Sequence, residues 1–369
     1  MEFLKLTTGI KTMSKTILIT GKNGQLGQHL IKFFQDNHPE HKIIATIRHK
    51  SYDKQDFIFD DSKVKTELLD LIDSVSIEEC IRKNKPDYLF NTSANAFVGE
   101  SWLCPENHAQ VNSLGVVRLL EAIRKFAPEC RFVNLGTSEE LGCTLDDMGK
   151  GSQDENTKIE PKSPYACSKA YARYMIDVYR ESYKIYAVQP WTFNFESKLR
   201  GEKYVTRKIT KGIGRIYRAI KNNEEFSPIE LGNLNSYRSW QHASDVASAL
   251  WLVVNQEFPP KPYVISENDT HSIREFVERA FLYAGINGKW WNINSENPLT
   301  EEFILYEPNG LPTKKKIVLV SVNEKFFRPH DVSFLYGNSN KIRQELGWKP
   351  QVPLDDLISE MVQWDINNP

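Results

Sequence analysis

The chain has 369 residues, with 47 Lys and Arg against 48 Asp and Glu, for a net charge of −1 and a pI near 6.7. That balance argues against a protein that coats nucleic acid or an anionic membrane, while 40% hydrophobic and 26% charged residues allow a sizeable core and argue against wholesale disorder. No apolar run approaches the length of about 20 residues that a membrane helix needs, the N-terminus is too short and polar for a secretory signal, and five scattered cysteines without a CxxC pair (Cys80, Cys104, Cys130, Cys143, Cys167) disfavour a disulfide framework or zinc site. The expectation is a soluble cytoplasmic enzyme of two domains or one extended α/β fold.

Residues 1–14 carry no periodic signal and read as a loose tail. Order begins with Lys15–Thr20, a β-branched run suited to a strand buried on both faces. A glycine-punctuated turn follows at 21–27, then an amphipathic helix near Gln28–Gln35 and a strand at His41–Ile47. The alternation continues with a helix near Ile77–Lys85, a strand at Tyr88–Asn91, a helix over Leu114–Phe126 and a strand at Arg131–Leu135. Strands alternating with helices of this length predict a Rossmann-like α/β fold, a doubly wound parallel sheet covered on both faces. Past about residue 190 the rhythm loosens, through a basic, Gly-containing stretch at Lys198–Arg218 and then Trp- and Pro-containing segments. The expected organisation is a cofactor-binding domain over 15–190, with segments near 235–265 returning to it. The rest of 191–369 forms a smaller, discontinuous C-terminal α/β part that binds substrate. No internal repeat or low-complexity tract appears.

Gly21-x-x-Gly24-x-x-Gly27, set between a strand and a helix, has the spacing of a dinucleotide turn. Glycine permits the tight bend, lets the backbone approach a pyrophosphate and allows close helix–strand packing, while the helix N-terminus offers free N–H groups. Asn23, Gln25 and Leu26 complete the turn. An NAD site usually carries an acid at the end of the second strand, to hold the ribose 2′-OH. Here that strand ends in Arg48-His49-Lys50-Ser51, cations that suit the 2′-phosphate of NADP, unless they form only an ordinary basic loop. Asp70-Leu71, after the third β segment, is a candidate contact for the adenine, although a lone loop Asp is commonly just solvated.

Tyr165 and Lys169 are one helical turn apart on one face. A phenol with a pKa near 10 is a poor base at neutral pH, and a neighbouring ammonium, with the cofactor's charge, is expected to lower it. Asn134-Leu-Gly-Thr137-Ser138-Glu139 follows a strand, at the carboxyl edge where α/β sheets hold ligands. Thr137 is placed to hydrogen-bond a substrate hydroxyl. Glu139 adds a carboxylate that simple alcohol oxidation does not need and a dehydration does.

With these residues in view the chain resembles the extended short-chain dehydrogenases/reductases, and most closely the GDP-mannose 4,6-dehydratase family. The similarity runs from about Lys15 to about Asp365, through Ser163-Pro-Tyr-Ala…Lys169, Arg180-Glu-Ser-Tyr183, Phe193-Asn194, Arg200-Gly201, Val205-Thr-Arg-Lys-Ile209, Leu231-Gly-Asn-Leu234, Arg328-Pro329 and Leu346-Gly-Trp-Lys-Pro350. The resemblance implies a redox-neutral reaction on a GDP-linked sugar. Tyr165 takes the C4 hydroxyl proton as hydride leaves for NADP, Glu139 removes the C5 proton and assists loss of the C6 hydroxyl, and hydride returns to C6. Thr137 orients the C4 oxygen, and Lys169 holds the nicotinamide ribose. It also implies a homodimer or homotetramer.

A sugar nucleotide brings a diphosphate, on which cations converge. Among Arg200, Arg207, Lys208, Arg238 and Arg328, the resemblance favours Lys208, Arg238 and Arg328 as contacts, with Asn194 beside them. Asp331 stands where the family typically has Glu. Other departures surround the site. The family's Thr-Ser-Glu-Leu-Tyr-Gly becomes Thr137-Ser-Glu139-Glu140-Leu141-Gly142, with an extra acid and no aromatic. Its Asn-His-Glu-Ser becomes Asn194-Phe195-Glu196-Ser197, its Pro-Arg-Arg becomes Lys198-Leu199-Arg200, a Ser-His pair becomes Ala96-Phe97, and an Asp becomes Ser239. The sugar's surroundings are thus more apolar, and a GDP-linked heptose or modified hexose competes with mannose. The eight histidines do not cluster in sequence, and no metal-ligand spacing, GxSxG or P-loop occurs. A nucleotide-sugar epimerase or 4-reductase on the same fold is the alternative, although neither needs Glu139. A catalytically silent NADP-binding protein is a third.

Overall fold

The computed structural model describes residues 14–48, 57–142, 151–293, 297–307, 309–311, 313–327 and 333–369. Six short strands, β1 (Thr16–Thr20), β2 (Lys42–Ile47), β3 (Val64–Leu68), β4 (Tyr88–Asn91), β5 (Arg131–Asn134) and β6 (Ala187–Val188), form one sheet. All neighbours are parallel, in the order β3-β2-β1-β4-β5-β6. The order reverses between β1 and β4, the place where a doubly wound sheet opens a crevice at its carboxyl edge.

The β-branched composition of β1 follows from burial on both faces. Ile17 and Ile19 join Leu30, Phe34 and Leu250 on one side, while Leu18 joins Leu89, Leu119 and Ile176 on the other. Each such side chain, fully removed from water, contributes about 2 kcal/mol. The helices of this half are α1 (Gln25–Asn37), α2 (Ser74–Asn84), the short turns α3 (Val98–Ser101) and α4 (Pro105–His108), then α5 (Gly115–Phe126) and α6 (Pro164–Tyr183). A π-helical stretch, Ala109–Leu114, joins α4 to α5. The strands and helices of this half expected from sequence are present, with ends shifted by up to three residues.

The second half is interleaved. β7 (Trp191–Thr192) and β8 (Asn194–Glu196) continue from β6, α7 spans Val205–Asn222, and β9 (Ile229–Leu231), β10 (Tyr237–Arg238) and β11 (Trp240–His242) follow. Helix α8 (Ala243–Val254) comes next, with β12 (Val264–Ile265), β13 (His271–Ser272) and α9 (Ile273–Tyr283). β8 pairs with β11, and β7 with β12, both parallel. These pairings carry α8 back onto α1, so that Val246, Leu250 and Val253 share a core with Ile17 and Phe34. A four-stranded sheet orders β14 (Gly288–Trp291), β15 (Glu302–Leu305) and β16 (Val318–Val322) against β9. After it come α10 (Asn340–Leu346) and α11 (Leu354–Asn367). α7, α9 and α11 pack together through Ile213, Phe276, Val277 and Ile358.

The stretch Lys198–Arg218, read from sequence as a loosening, contains most of α7. Its apolar residues Ile209, Ile213 and Ile216 stand four and three apart and are fully buried. Five cations, Arg207, Lys208, Lys211, Arg215 and Arg218, fall between and around them, and they dominate the composition while the periodicity decides the structure. Among the described residues, no helix is long and apolar enough to cross a membrane.

Candidate active site

The glycine turn begins where β1 ends. Gly21 has φ +80°, a conformation L side chains rarely adopt. A Cβ on Gly27 would lie 2.2 Å from the Gly21 carbonyl oxygen, so α1 crosses the turn at backbone distance. Gly24 is the N-cap of α1 and supplies no side-chain cap, which leaves the first N–H groups available to an anion. A cavity of about 250 Å³ opens beside this turn, and Gly21, Asn23, Gly24, Arg48, Asp70 and Leu71 all line it. These features fit a dinucleotide: a pyrophosphate at the bare helix end and a nucleoside reaching towards β2 and β3.

The remaining turn residues face elsewhere. Leu26 is buried in the core, and Gln25 donates to the Phe195 carbonyl at 3.0 Å while accepting from the Ser197 hydroxyl at 3.1 Å. Both leave only backbone for the cofactor cleft, and Gln25 ties the turn to β8. Of the cation run after β2, Arg48 is exposed, and His49-Lys50-Ser51 lie outside the described residues. The Asp70 carboxylate accepts from the Ile72 N–H at 3.1 Å. Thr46, Thr92, Ser93 and Asn95 also line the cavity and were missed from sequence. Their signal was position alone, at the carboxyl ends of β2 and β4.

The second cluster lies past β5. Thr137 caps a 3-10 turn, Ser138–Leu141, and accepts from the Glu139 N–H at 3.3 Å. Ser163 caps α6 by accepting from the Ala166 N–H at 3.1 Å, and Pro164 fills the first helical position. Tyr165 and Lys169 therefore stand one turn apart on the buried face, each under a tenth exposed. The Thr137 side chain is close enough to Tyr165 to favour its ionised form, and the Lys169 ammonium donates to the Leu135 carbonyl at 2.8 Å. Thr137, Glu139, Tyr165 and Lys169 thus converge from two elements at the carboxyl edge. The His108 ring, unforeseen from sequence, stands edge-on to Tyr165 with centroids 6.4 Å apart.

The electrostatics depart from expectation at Tyr165. Burial pushes its phenol above the usual range, with Tyr204 adding to the rise and Thr137 opposing it. The lowering expected from Lys169 does not prevail, because the phenol is desolvated and carboxylates lie nearby. Burial lowers Lys169 itself to about 8, with the charge of Glu140 acting the other way.

The predicted sugar-nucleotide contacts form a third group. Asn194, on β8, is half-buried. Lys208 stands 3.2 Å from the centre of the Phe326 ring, and burial lowers it to about 8. Arg238 is 8% exposed and donates to the Tyr237 carbonyl at 2.8 Å. Arg328 and Asp331 lie outside the described residues. Their flanks do not: Phe326 meets Lys208, and the Ser333 carbonyl accepts from the Tyr237 N–H at 2.8 Å. Arg200 and Arg207 have other partners, Arg200 with Glu196 at 3.1 Å and Arg207 with Asp365 at 2.8 Å. The departures gather here too, since Phe97 meets Tyr204 edge-on at 5.6 Å and Ser239 bonds Ser266 at 2.8 Å.

Two pairs of histidines meet in space, contrary to the expectation that they do not cluster, and one pair, His38 and His41, is only three residues apart in sequence. His29 and His242 stand edge-on at 5.1 Å. His38 and His41 stack at 5.8 Å with Glu40 between them, and this trio brings three potential ligand atoms within 4.8 Å of one another. It sits between α1 and β2, at the sheet edge opposite the glycine turn.

Comparison with known proteins agrees with this geometry. The family model described as GDP-mannose 4,6 dehydratase matches residues 18–361. The chain belongs to the GDP-mannose 4,6-dehydratase family. The enzyme of that name from Drosophila melanogaster is 36% identical over 361 residues, 95% of this chain and 86% of that protein. The human one is 35% identical over 360 residues, covering 95% and 91%. A solved dTDP-glucose 4,6-dehydratase from Bacillus anthracis, in complex with NAD, shares the fold at a TM-score of 0.73 and 19% identity, covering 96% of this chain and 97% of that one.

Proposed function

We propose that this member of the family is a GDP-sugar 4,6-dehydratase, a hydro-lyase that converts a GDP-hexose, GDP-mannose or a related sugar, to its 4-keto-6-deoxy product. One observation carries the reading. Glu139, a carboxylate for which an oxidation or epimerisation has no use, shares the carboxyl edge with Thr137, Tyr165 and Lys169, beside a cleft that fits a dinucleotide.

A nicotinamide cofactor held in that cleft supplies the hydride acceptor at sugar C4 and the donor at C6. Tyr165 takes the C4 hydroxyl proton, and Thr137 holds the same oxygen in line. Lys169 holds a ribose hydroxyl and lends positive charge to the phenolate. Once C4 is a ketone, the C5–H is acidic, and Glu139 removes that proton and passes it to the departing C6 hydroxyl, which leaves as water; after the hydride returns to C6, C5 is reprotonated, which balances the proton Tyr165 took from the C4 hydroxyl. Lys208 and Arg238, with Arg328, hold the diphosphate. Asn194 and Asp331 contact the nucleotide or sugar. Residues 15–190, with 235–265 returning, serve the cofactor, and the remainder of 191–369 serves the sugar nucleotide.

Arg48 supports NADP over NAD, because a guanidinium binds a 2′-phosphate with charge-assisted hydrogen bonds. Such bonds contribute about 1.5–3 kcal/mol, so Arg48→Ala is expected to weaken NADP binding about 10- to 100-fold. NAD binding, measured by the same titration, should change little. A homodimer or homotetramer is supported by α6, which exposes Tyr171, Tyr174 and Val178 at helical spacing on one outer face. The balanced charge and composition support a cytoplasmic setting.

The test is to incubate purified protein with GDP-mannose, other GDP-sugars and UDP-sugars and follow product mass. Loss of one water without added reductant is expected. An unchanged mass with a new stereoisomer would support the epimerase, and no turnover across the panel would favour a silent NADP-binding protein.

A further inference from the structure

Two acids stand side by side at 139 and 140, and the structure separates them. Glu139 is half-buried at the site, while Glu140 is fully buried behind it. Three donors converge on the Glu140 carboxylate. Its Oε1 accepts from the Thr137 N–H at 2.9 Å and from the Gln189 amide at 3.0 Å, and its Oε2 accepts from the Arg173 Nε at 2.5 Å. Arg173, 3% exposed, lies two turns beyond Tyr165 on the same face of α6. Its Nη1 donates to the Gln189 carbonyl at 2.7 Å, and its guanidinium lies 3.6 Å from the centre of the Trp191 ring. A Cβ on Gly136 would stand 3.0 Å from Arg173 Nη2 and 2.3 Å from the Pro190 carbonyl, so the strand end is shaped around this pair.

The pair also ends a continuous polar chain along the carboxyl edge of the sheet. The Thr20 hydroxyl donates to Asn91, Asn91 to Asn134, Asn134 to Gln189 and Gln189 to Glu140, each link between 2.6 and 3.0 Å. Thr20 is the residue before Gly21, so the chain runs from the glycine turn to the cap of the turn that bears Thr137 and Glu139.

We propose that Glu140, held by Arg173, is a positioning residue for the dehydration: it fixes the Thr137 backbone and with it the place of the Thr137 hydroxyl and of the turn that carries Glu139. Two carboxylate oxygens serve three donors, and no neutral side chain of that size can. An amide in its place offers one acceptor and turns an NH₂ onto a donor, leaving the Arg173 charge buried without a counter-ion. The family's Leu at this position cannot bond the Thr137 N–H, so the charged pair is this chain's own way of holding the turn. The inference rests on the dehydratase reading.

The experiment compares wild type, Glu140→Gln and the double variant E140L/R173L, using NADPH binding, thermal midpoint, and kcat and KM on the GDP-sugar that wild type converts. Replacing a buried ion pair by apolar residues is often neutral or stabilising, so the double variant is the folded control if Glu140→Gln unfolds. Both variants are expected to bind NADPH as wild type does and to keep KM within about threefold. Their kcat should fall on the order of 10²-fold, the size that misplacing a reacting group costs. A purely structural pair would lower the thermal midpoint of Glu140→Gln and leave the double variant fully active. Wild-type kcat in the folded double variant overturns the proposal alone. A wild-type protein that converts no GDP-sugar overturns the dehydratase reading, and the proposal with it.

Discussion

Glu139→Gln is expected to bind cofactor and GDP-sugar as wild type does and to release no measurable water. The substitution keeps size and polarity, and the backbone hydrogen bond from the Glu139 N–H to the Thr137 hydroxyl does not involve the changed atoms. What it removes is the ability to take a proton from C5 and hand one to the C6 hydroxyl. General acid–base groups of this kind contribute about 10²–10⁴-fold, and both halves of the elimination depend on the same carboxylate, so the loss should lie near the upper end. Product mass reports the lost water. Deuterium uptake at C5 from D₂O reports the proton transfer separately and should vanish with it. Dehydration at the wild-type rate would mean that another group is the base. Glu140 is a poor substitute, because Arg173, Gln189 and the Thr137 N–H already occupy both of its oxygens.

That distinction marks how far the amino-acid pattern reaches. The first half of the fold was readable because each strand carries its own signal: β-branched runs such as Thr16–Thr20 and Ile43–Ile47 bury both faces, and Gly21, Gly24 and Gly27 mark the turn between them. The candidate reacting residues stand out for the same reason, since Tyr165 and Lys169 are a helical turn apart and Thr137 and Glu139 adjoin a strand end. Glu139 and Glu140 look alike in sequence. What separates them is Arg173, 33 residues downstream, and burial sets the role of each. Cations are ambiguous in the same way. Arg200 and Arg207 are bound to Glu196 and Asp365, whereas Lys208 and Arg238 border the segment that carries Arg328. Helix α7 was obscured by charge: a basic composition drew attention from the isoleucine stripe that buries its apolar face, while Arg207 and Thr210 bind Asp365 of α11.

Lys169→Met should give a protein that is more stable and inactive. Burial lowers the Lys169 ammonium from 10.5 to about 8, which corresponds to a folding cost of about 3 kcal/mol at 1.36 kcal/mol per pH unit. Below pH 8 the group is charged in the folded and the unfolded chain alike, so folding bears the whole desolvation cost. Between pH 8 and 10.5 the folded chain releases its proton while the unfolded chain keeps it, and the cost fades as pH rises. Methionine matches the length of the stem and carries no charge. It gives up the hydrogen bond to the Leu135 carbonyl, worth about 1 kcal/mol, so the net gain at neutral pH is about 2 kcal/mol in the cofactor-free protein. Denaturant unfolding of wild type and variant at pH 7 and pH 10 checks both size and sign: a clear advantage for the variant at pH 7 should shrink at pH 10. Turnover should fall about 10²-fold or more, since the proposed role of Lys169, to hold the cofactor ribose and lend charge beside Tyr165, is lost with it. An active, destabilised variant would instead make Lys169 a structural residue. Among the described residues no ion pair offsets the desolvation cost at Lys169, whose ammonium donates to the Leu135 carbonyl, and a buried charge carried at a cost to stability fits a group kept for the chemistry.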